Sequence, residues 1–198
     1  MKNTSDRWLK ELDVLIHDCG QSTVIVDSPK REERLTIEQY RDELMSSKKM
    51  LYIDFKTVHN MYDIAKKLSQ QYSDIFEQMF SESIHKTINF YITQKEDYFL
   101  DKILNILKEV SEKYTDPVIL WLENFTEVLK LEDSRRICNL MRGHYQDQEK
   151  VIYIFTSNSI EDVNAIFNDY SKPFYRSARI LKTYTVSKFT EAKEGVKT

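Results

Sequence analysis

Glycine and proline are both scarce, with three of each in 198 residues, and no glycine falls between Gly20 and Gly143. Over most of the chain, any turn that needs a positive φ must be made by a residue that carries a Cβ. Cysteine is nearly absent. Cys19 and Cys138 match no metal-ligand spacing and no disulfide framework, so they read as ordinary thiols in a reducing compartment. His17, His59, His85 and His144 share no ligand spacing, and no Ser/His/Asp or Cys/His set can be assembled, so no metal and no catalytic residue is assigned. No apolar run is as long as a membrane span, and the polar stretch from Met1 to Lys10 lacks the apolar core of a signal peptide. A soluble, cytoplasmic chain without a membrane partner is expected. An excess of one charge is missing too. Lys and Arg number 29 against 32 Asp and Glu, a net charge of −3, which excludes charge-driven binding of nucleic acid or anionic lipid over the whole surface and leaves room only for a local patch.

What is present suits a well-packed α/β domain. Hydrophobic residues make up 41%, and twelve Tyr and ten Phe supply bulky core material. The length predicts one domain over residues 1–187, followed by a polar tail at 188–198. Trp8, Leu12, Leu15 and Ile16 recur at helical spacing, with Gly20 placed as a C-cap. Strands are predicted at Thr23–Val26, Met50–Phe55, Val118–Leu122, Val151–Phe155 and Ile180–Val186. The continuous apolar runs after Pro117 and at Val151 mark strands covered on both faces. Between them lie helical faces: Ile37, Tyr40, Leu44 after a capping-box pattern at Thr36; Met61, Ile64, Ala65, Leu68; Phe99 to Val110; Ile137, Leu140, Met141; and Val163, Ile166, Phe167. Ile88–Ile92 fits a helix or a short strand. Strands alternating with helices predict a three-layer α/β/α domain with a mainly parallel five-stranded sheet.

One run is distinctive. Arg142, Gln146 and Gln148 lead into Val151-Ile152-Tyr153-Ile154-Phe155-Thr156-Ser157-Asn158, followed by Ile166-Phe167-Asn168-Asp169 and Pro173-Phe174-Tyr175-Arg176-Ser177-Ala178. This combination resembles the back half of prokaryotic AAA-type P-loop ATPases related to the archaeal ATPase family, which are similar to the signal-transducing (STAND) NTPases. The resemblance covers roughly residues 20 to 186. It implies a P-loop NTPase-like fold and a phosphate loop of the form Gly-Pro-Arg-Arg-x-Gly-Lys-Thr/Ser after the first strand. On this chain that loop falls on Ser28 to Thr36. Pro29, the basic pair Lys30 and Arg31 and, one position beyond the Thr/Ser site held by Leu35, Thr36 match, but Ser28 and Glu33 replace the glycines and Arg34 replaces the lysine. The loop wraps backbone N–H groups around phosphate, which needs positive φ and no Cβ in the way, and Glu32 and Glu33 bring carboxylates towards a polyanion. The resemblance also implies a hydrophobic strand ending in Asp-Glu. Here the strand ends in Glu123-Asn124, and an amide cannot act as a general base. A helical lid and winged-helix region are implied as well, and little chain remains beyond Val186 to build them, so no C-terminal lid is expected.

The expected function is a catalytically inactive, P-loop ATPase-like interaction or regulatory module that needs no cofactor. Its partner would be a related active ATPase or another copy of itself, bound through Phe174, Tyr175, Arg176 and Arg179. In related ATPases a basic residue in this region can complete a neighbouring subunit's site. The alternative is a divergent ATP-binding protein, a nucleotide sensor or weak ATPase, with DNA association as an added reading. It would hold ATP with Mg²⁺ through Lys30, Arg31, Arg34, Thr36, Glu123, Asn124 and Asn158, with Asp54 and Ser157 as further strand-end groups. Arg135, Arg136 and Arg142 are basic, but Glu132 and Asp133 adjoin them and weaken any nucleic-acid patch.

Overall fold

The computed structural model describes residues 4–17, 22–26, 31–76, 86, 88–90 and 98–183. In chain order these form α1 (Thr4–His17), β1 (Thr23–Val26), α2 (Arg31–Ser47), β2 (Met50–Asp54), α3 (Met61–Ile75), α4 (Phe99–Ser111), β3 (Val118–Glu123), α5 (Ser134–Asp147), β4 (Val151–Ser157), α6 (Ile160–Phe167) and β5 (Arg179–Lys182). Short 3₁₀ turns follow β2 at Phe55–Thr57 and β3 at Phe125–Lys130. Ile88 to Phe90 are helical, and Gly20 and Cys19 lie outside the described residues.

The five strands pair in parallel in the order β2-β3-β4-β1-β5. This order and the handedness of crossovers decide which face each helix covers. The β1-to-β2 connection crosses the sheet in one direction, and the next three connections all cross in the other. Right-handed crossovers therefore put α2 on one face and α3 to α6 on the opposite face. The packing follows. Trp8, Leu12, Ile37 and Leu44 from α1 and α2 meet Ile25, Ile119, Trp121, Ile152 and Ile154 on one side. Leu68, Leu104, Met141 and Phe167 meet Val24, Leu120, Tyr153 and Phe155 on the other. Neighbours along each strand alternate between the two cores, as a pleat with period two requires. Among the described residues, no helix is long and apolar enough to cross a membrane.

Local signals set most boundaries. Asn60 accepts the Asp63 N–H at 3.0 Å to start α3, and Asp63 accepts the His59 N–H at 2.9 Å in return. Ser159 accepts the Asp162 N–H at 3.1 Å to start α6. The exception is α2, which opens at Arg31 rather than at Thr36. Thr36 is therefore inside the helix and is not its cap. Arg31 to Leu35 are competent helix formers, so the helix extends past the capping-box pattern. The last strand is also shorter than expected, ending at Lys182.

The outer edge of β2 is sealed by a side chain. Gln71 of α3 accepts the Tyr52 N–H at 2.9 Å and donates to the Tyr52 carbonyl at 2.8 Å. Its amide thus takes the place of a neighbouring strand on an edge that would otherwise be open to pairing.

Candidate functional site

The register gathers polar residues at the carboxyl edge of the sheet. Asp54 pairs with Glu123 across β2 and β3, and Val26 pairs with Ser157 across β1 and β4. Beside these strand ends is a cleft of about 200 Å³ lined by Arg34, Glu38, Asp54, Lys56, Glu123, Asn124, Thr156, Ser157 and Asn158, with Ile37. In open parallel sheets this edge is where ligands bind.

The chemistry of this edge is largely internal. Asn124 has φ 52°, a left-handed conformation in a chain with almost no glycine to supply one. Its side-chain amide donates to Asp54 Oδ1 at 2.9 Å, and its backbone N–H donates to Thr156 Oγ1 at 3.0 Å. Asp54 also accepts the Lys56 N–H at 3.0 Å. The Ser157 and Thr126 hydroxyls share a hydrogen bond of 2.9 Å, and Ser157 Oγ accepts the Ser159 N–H at 3.1 Å. Glu123 accepts from Arg41 Nη1 at 2.8 Å, and the Arg41 guanidinium lies 5.2 Å above the Tyr52 ring. Burial, then the Glu123 charge and its hydrogen bond, raise the Tyr52 phenol well above its ordinary range, so it stays protonated beside the carboxylate. Among the described residues no group of three or more His, Cys, Asp or Glu is arranged to hold a metal ion.

The structure sorts the residues singled out from sequence. Arg34, Glu123, Asn124 and Asn158 share the cleft, and Asn158 is exposed there. Arg31 is the first residue of α2 and Thr36 lies further along it, half-buried, while Lys30 is outside the described residues. The other group sits elsewhere. Residues 168–178 join the end of α6 to the start of β5, so they lie at the amino edge, across the sheet from the cleft. Phe174, expected on a partner surface, is instead fully buried. It packs on Phe125, Phe155 and Phe167 with ring centroids 5.5–5.6 Å apart. An apolar ring beside that pocket gains more from the core than from solvent. Arg179 is committed to Glu11 of α1, with Nη2 at 2.6 Å and Nε at 3.0 Å from Oε1. Tyr175 is half-buried and Arg176 is exposed.

Arg176 stands out because it has φ 50°, which is strained for any residue with a Cβ. The turn is held in place from several sides. Arg176 N–H donates to the Phe167 carbonyl at 2.9 Å, Arg142 Nε donates to the Pro173 carbonyl at 3.0 Å, and the Tyr145 hydroxyl donates to the Ser177 carbonyl. The Arg176 guanidinium rests 5.1 Å from the centre of the Tyr175 ring. Arg142 is thus directed into the fold, away from any shared basic patch with Arg135 and Arg136, which line a separate cleft with Glu132 and Asp133.

Sequence reasoning missed Arg41, Tyr52 and Gln71. Arg41 had a readable signal: Ile37, Tyr40, Arg41 and Leu44 fall at i, i+3, i+4 and i+7, so a charge occupies a core-facing position of α2. A charge on such a stripe needs a partner.

No family model matches the chain, and no curated protein matches it. Solved structures do. A Walker-type ATPase of Pyrococcus abyssi superposes with a TM-score of 0.66 at 12% identity, over 92% of this chain and 53% of that one. Drosophila ORC bound to AT-rich DNA and Cdc6 gives 0.58 at 11% identity, over 95% and 56%. The Aeropyrum pernix ORC1 protein in complex with DNA gives 0.55 at 13% identity, over 91% and 45%. This chain therefore has the P-loop NTPase-like α/β fold, and it spans about half the length of these structures.

Proposed function

We propose that this chain is a P-loop-type domain that neither binds nor hydrolyses nucleotide and serves as an interaction module. The observation that carries the reading is the start of α2. Because α2 is already helical at Arg31, its start takes in the two positions ahead of the aligned glycine that a phosphate loop keeps as loop. No glycine lies between Gly20 and Gly143 to let the backbone there wrap N–H groups around phosphate. The remaining donor set does not suit Mg–nucleotide either. Asn124 is bonded to Asp54, Glu123 is bonded to Arg41, and a cleft of about 200 Å³ is below the roughly 300–1,000 Å³ of ordinary ligand pockets.

The anchored turn carrying Tyr175 and Arg176 supports the interaction half of the reading. Strain held from several sides is more useful to a presented side chain than to a connecting loop. The partner is a related ATPase or a second copy of this chain. Thermal unfolding with and without millimolar Mg-ATP, Mg-ADP and Mg-GTP tests the first half. Ligand at about a hundred times its Kd adds roughly 2.7 kcal/mol, so a nucleotide-specific rise in Tm would refute it and favour a nucleotide sensor. For the second half, a Tyr175→Ala/Arg176→Ala variant that stays folded should lose self-association or capture of a related ATPase. Unchanged association would remove this turn from the interface.

A further inference from the structure

Glu123 closes β3 with a carboxylate whose side chain is only 24% exposed, and Arg41 reaches it from α2 with a side chain only 19% exposed. A part-buried carboxylate without a counter-charge is costly, and in a phosphate site built on this edge a divalent ion bound from solution supplies that charge. In this chain the charge comes from the fold itself. The Arg41 guanidinium is fixed by three contacts: the Glu123 carboxylate at 2.8 Å, the Asp42 carboxylate at 2.9 Å and the face of Tyr52. Tyr52 and Glu123 lie on neighbouring strands, β2 and β3, so one side chain joins α2 to both.

We infer that Arg41 is the permanent cation of this site. It supplies Glu123 with the positive charge that a metal-dependent site takes from solution, and it locks α2 onto β2 and β3 whether or not a divalent ion is present. The inference rests on the reading of a non-hydrolysing domain and says what replaced the metal. A divalent ion arriving at Glu123 would stand beside the Arg41 guanidinium, and repulsion between the two cations disfavours it, so the site has one state where a metal-dependent site has two. The α2 helix is consequently not coupled to Mg²⁺ or to a γ-phosphate.

The test compares the wild type, Arg41→Met, Glu123→Gln and the double variant by thermal unfolding at fixed ionic strength, with and without millimolar Mn²⁺. Free Mn²⁺ is followed in parallel by electron paramagnetic resonance. The wild type should show no metal-dependent shift. Arg41→Met should lose several degrees, the double variant should recover part of that loss because the stranded carboxylate is gone, and Mn²⁺ should stabilise Arg41→Met but not the double variant. If Arg41→Met does not fold, Arg41→Lys takes its place: it keeps a charge but loses the planar fork, and should fall between wild type and Glu123-uncoupled behaviour. Purely additive losses across the four proteins would overturn the inference, and so would Mn²⁺ binding to the wild type that Glu123→Gln abolishes. Either result, without a nucleotide-induced shift, would leave the non-hydrolysing reading standing. A Mg-ATP shift with the Arg41 pair intact would instead refute that reading.

Discussion

Replacing Phe174 by Ala should cost far more stability than removing the charged side chain two positions further on. The ring is fully buried and meets three other phenylalanines: Phe125 and Phe155 edge-on and Phe167 at a tilt. A buried phenylalanine removes about 150–250 Å² from water, worth roughly 4–6 kcal/mol at 25 cal/mol per Å². Measured Phe→Ala losses of about 3–5 kcal/mol agree with this once partial relaxation is allowed. For a domain of this size each kcal/mol moves Tm by about 2–4 °C, so a fall of roughly 6–20 °C is expected. Arg176→Ala removes an exposed guanidinium stacked on Tyr175 and should cost no more than about 1 kcal/mol. Urea and thermal unfolding of both variants, followed by tryptophan fluorescence, provide the comparison. A loss below about 1 kcal/mol for Phe174→Ala, or a larger loss for Arg176→Ala, would refute the division of this segment into a buried anchor and a presented tip.

Gln71→Ala should unseal the β2 edge, costing about 1–2 kcal/mol and speeding exchange of the Tyr52 amide roughly ten-fold, as read by hydrogen–deuterium exchange. Unchanged Tyr52 protection would show that the Gln71 amide does not guard that edge. At Asn124, alanine loses the hydrogen bond to Asp54 and keeps a strained left-handed backbone, whereas glycine loses the bond but relieves the strain. Asn124→Gly should therefore be the more stable of the two by about 1 kcal/mol in urea, and the reverse order would mean the left-handed turn is not formed in solution. Burial raises the Cys138 thiol from 9.0 to about 11, with the charge of Lys172 and a Ser134 hydrogen bond acting in the opposite direction. Its contribution to stability is then fully present below about pH 9 and is lost as pH rises towards 11, because the unfolded thiol ionises first. In a Cys19→Ser background the native protein should resist a thiol reagent at pH 8 until denaturant is added, and prompt labelling would place Cys138 at the surface.

The strands were the most legible part of the fold. Apolar runs at Val118 and Val151 marked fully covered strands, and the observed strands extend those runs by one residue to Glu123 and by two to Ser157. The start of α2 was not legible, because Thr36-Ile37-Glu38-Gln39 has the form of a cap while Arg31 to Leu35 have the propensity to continue a helix. Local pattern and propensity disagreed, and propensity prevailed. Glu123 and Asn124 could be placed at a strand end from the apolar run before them. What they bond to depends on a partner 82 residues away for Glu123 and 70 residues away for Asn124, which no local window contains. Phe174 was misplaced for a related reason. Its neighbours Pro173, Tyr175 and Arg176 suggest a surface turn, and only the pocket formed by distant Phe125, Phe155 and Phe167 draws it inside.

The carboxyl edge of a parallel sheet collects strand-end polar groups whatever the protein does, and each must be satisfied by a ligand, by solvent or by another side chain. In a ligand-dependent site the loss of ligand leaves some of these groups unpaired, and that cost couples binding to conformation. Here Glu123 is met by Arg41, Asn124 by Asp54, and Ser157 by Thr126. Among the described residues these three strand-end groups are already satisfied, so a ligand that uses them must break existing bonds before it can make its own. A differential affinity of about 5.5 kcal/mol is needed to move a two-state equilibrium from 1:99 to 99:1. A ligand that first has to displace a part-buried ion pair and a hydrogen-bonded left-handed asparagine starts well short of that. These satisfied groups support the proposed interaction module over a ligand-driven switch, and the strained turn at Arg176 on the opposite edge is the surface that proposal would use.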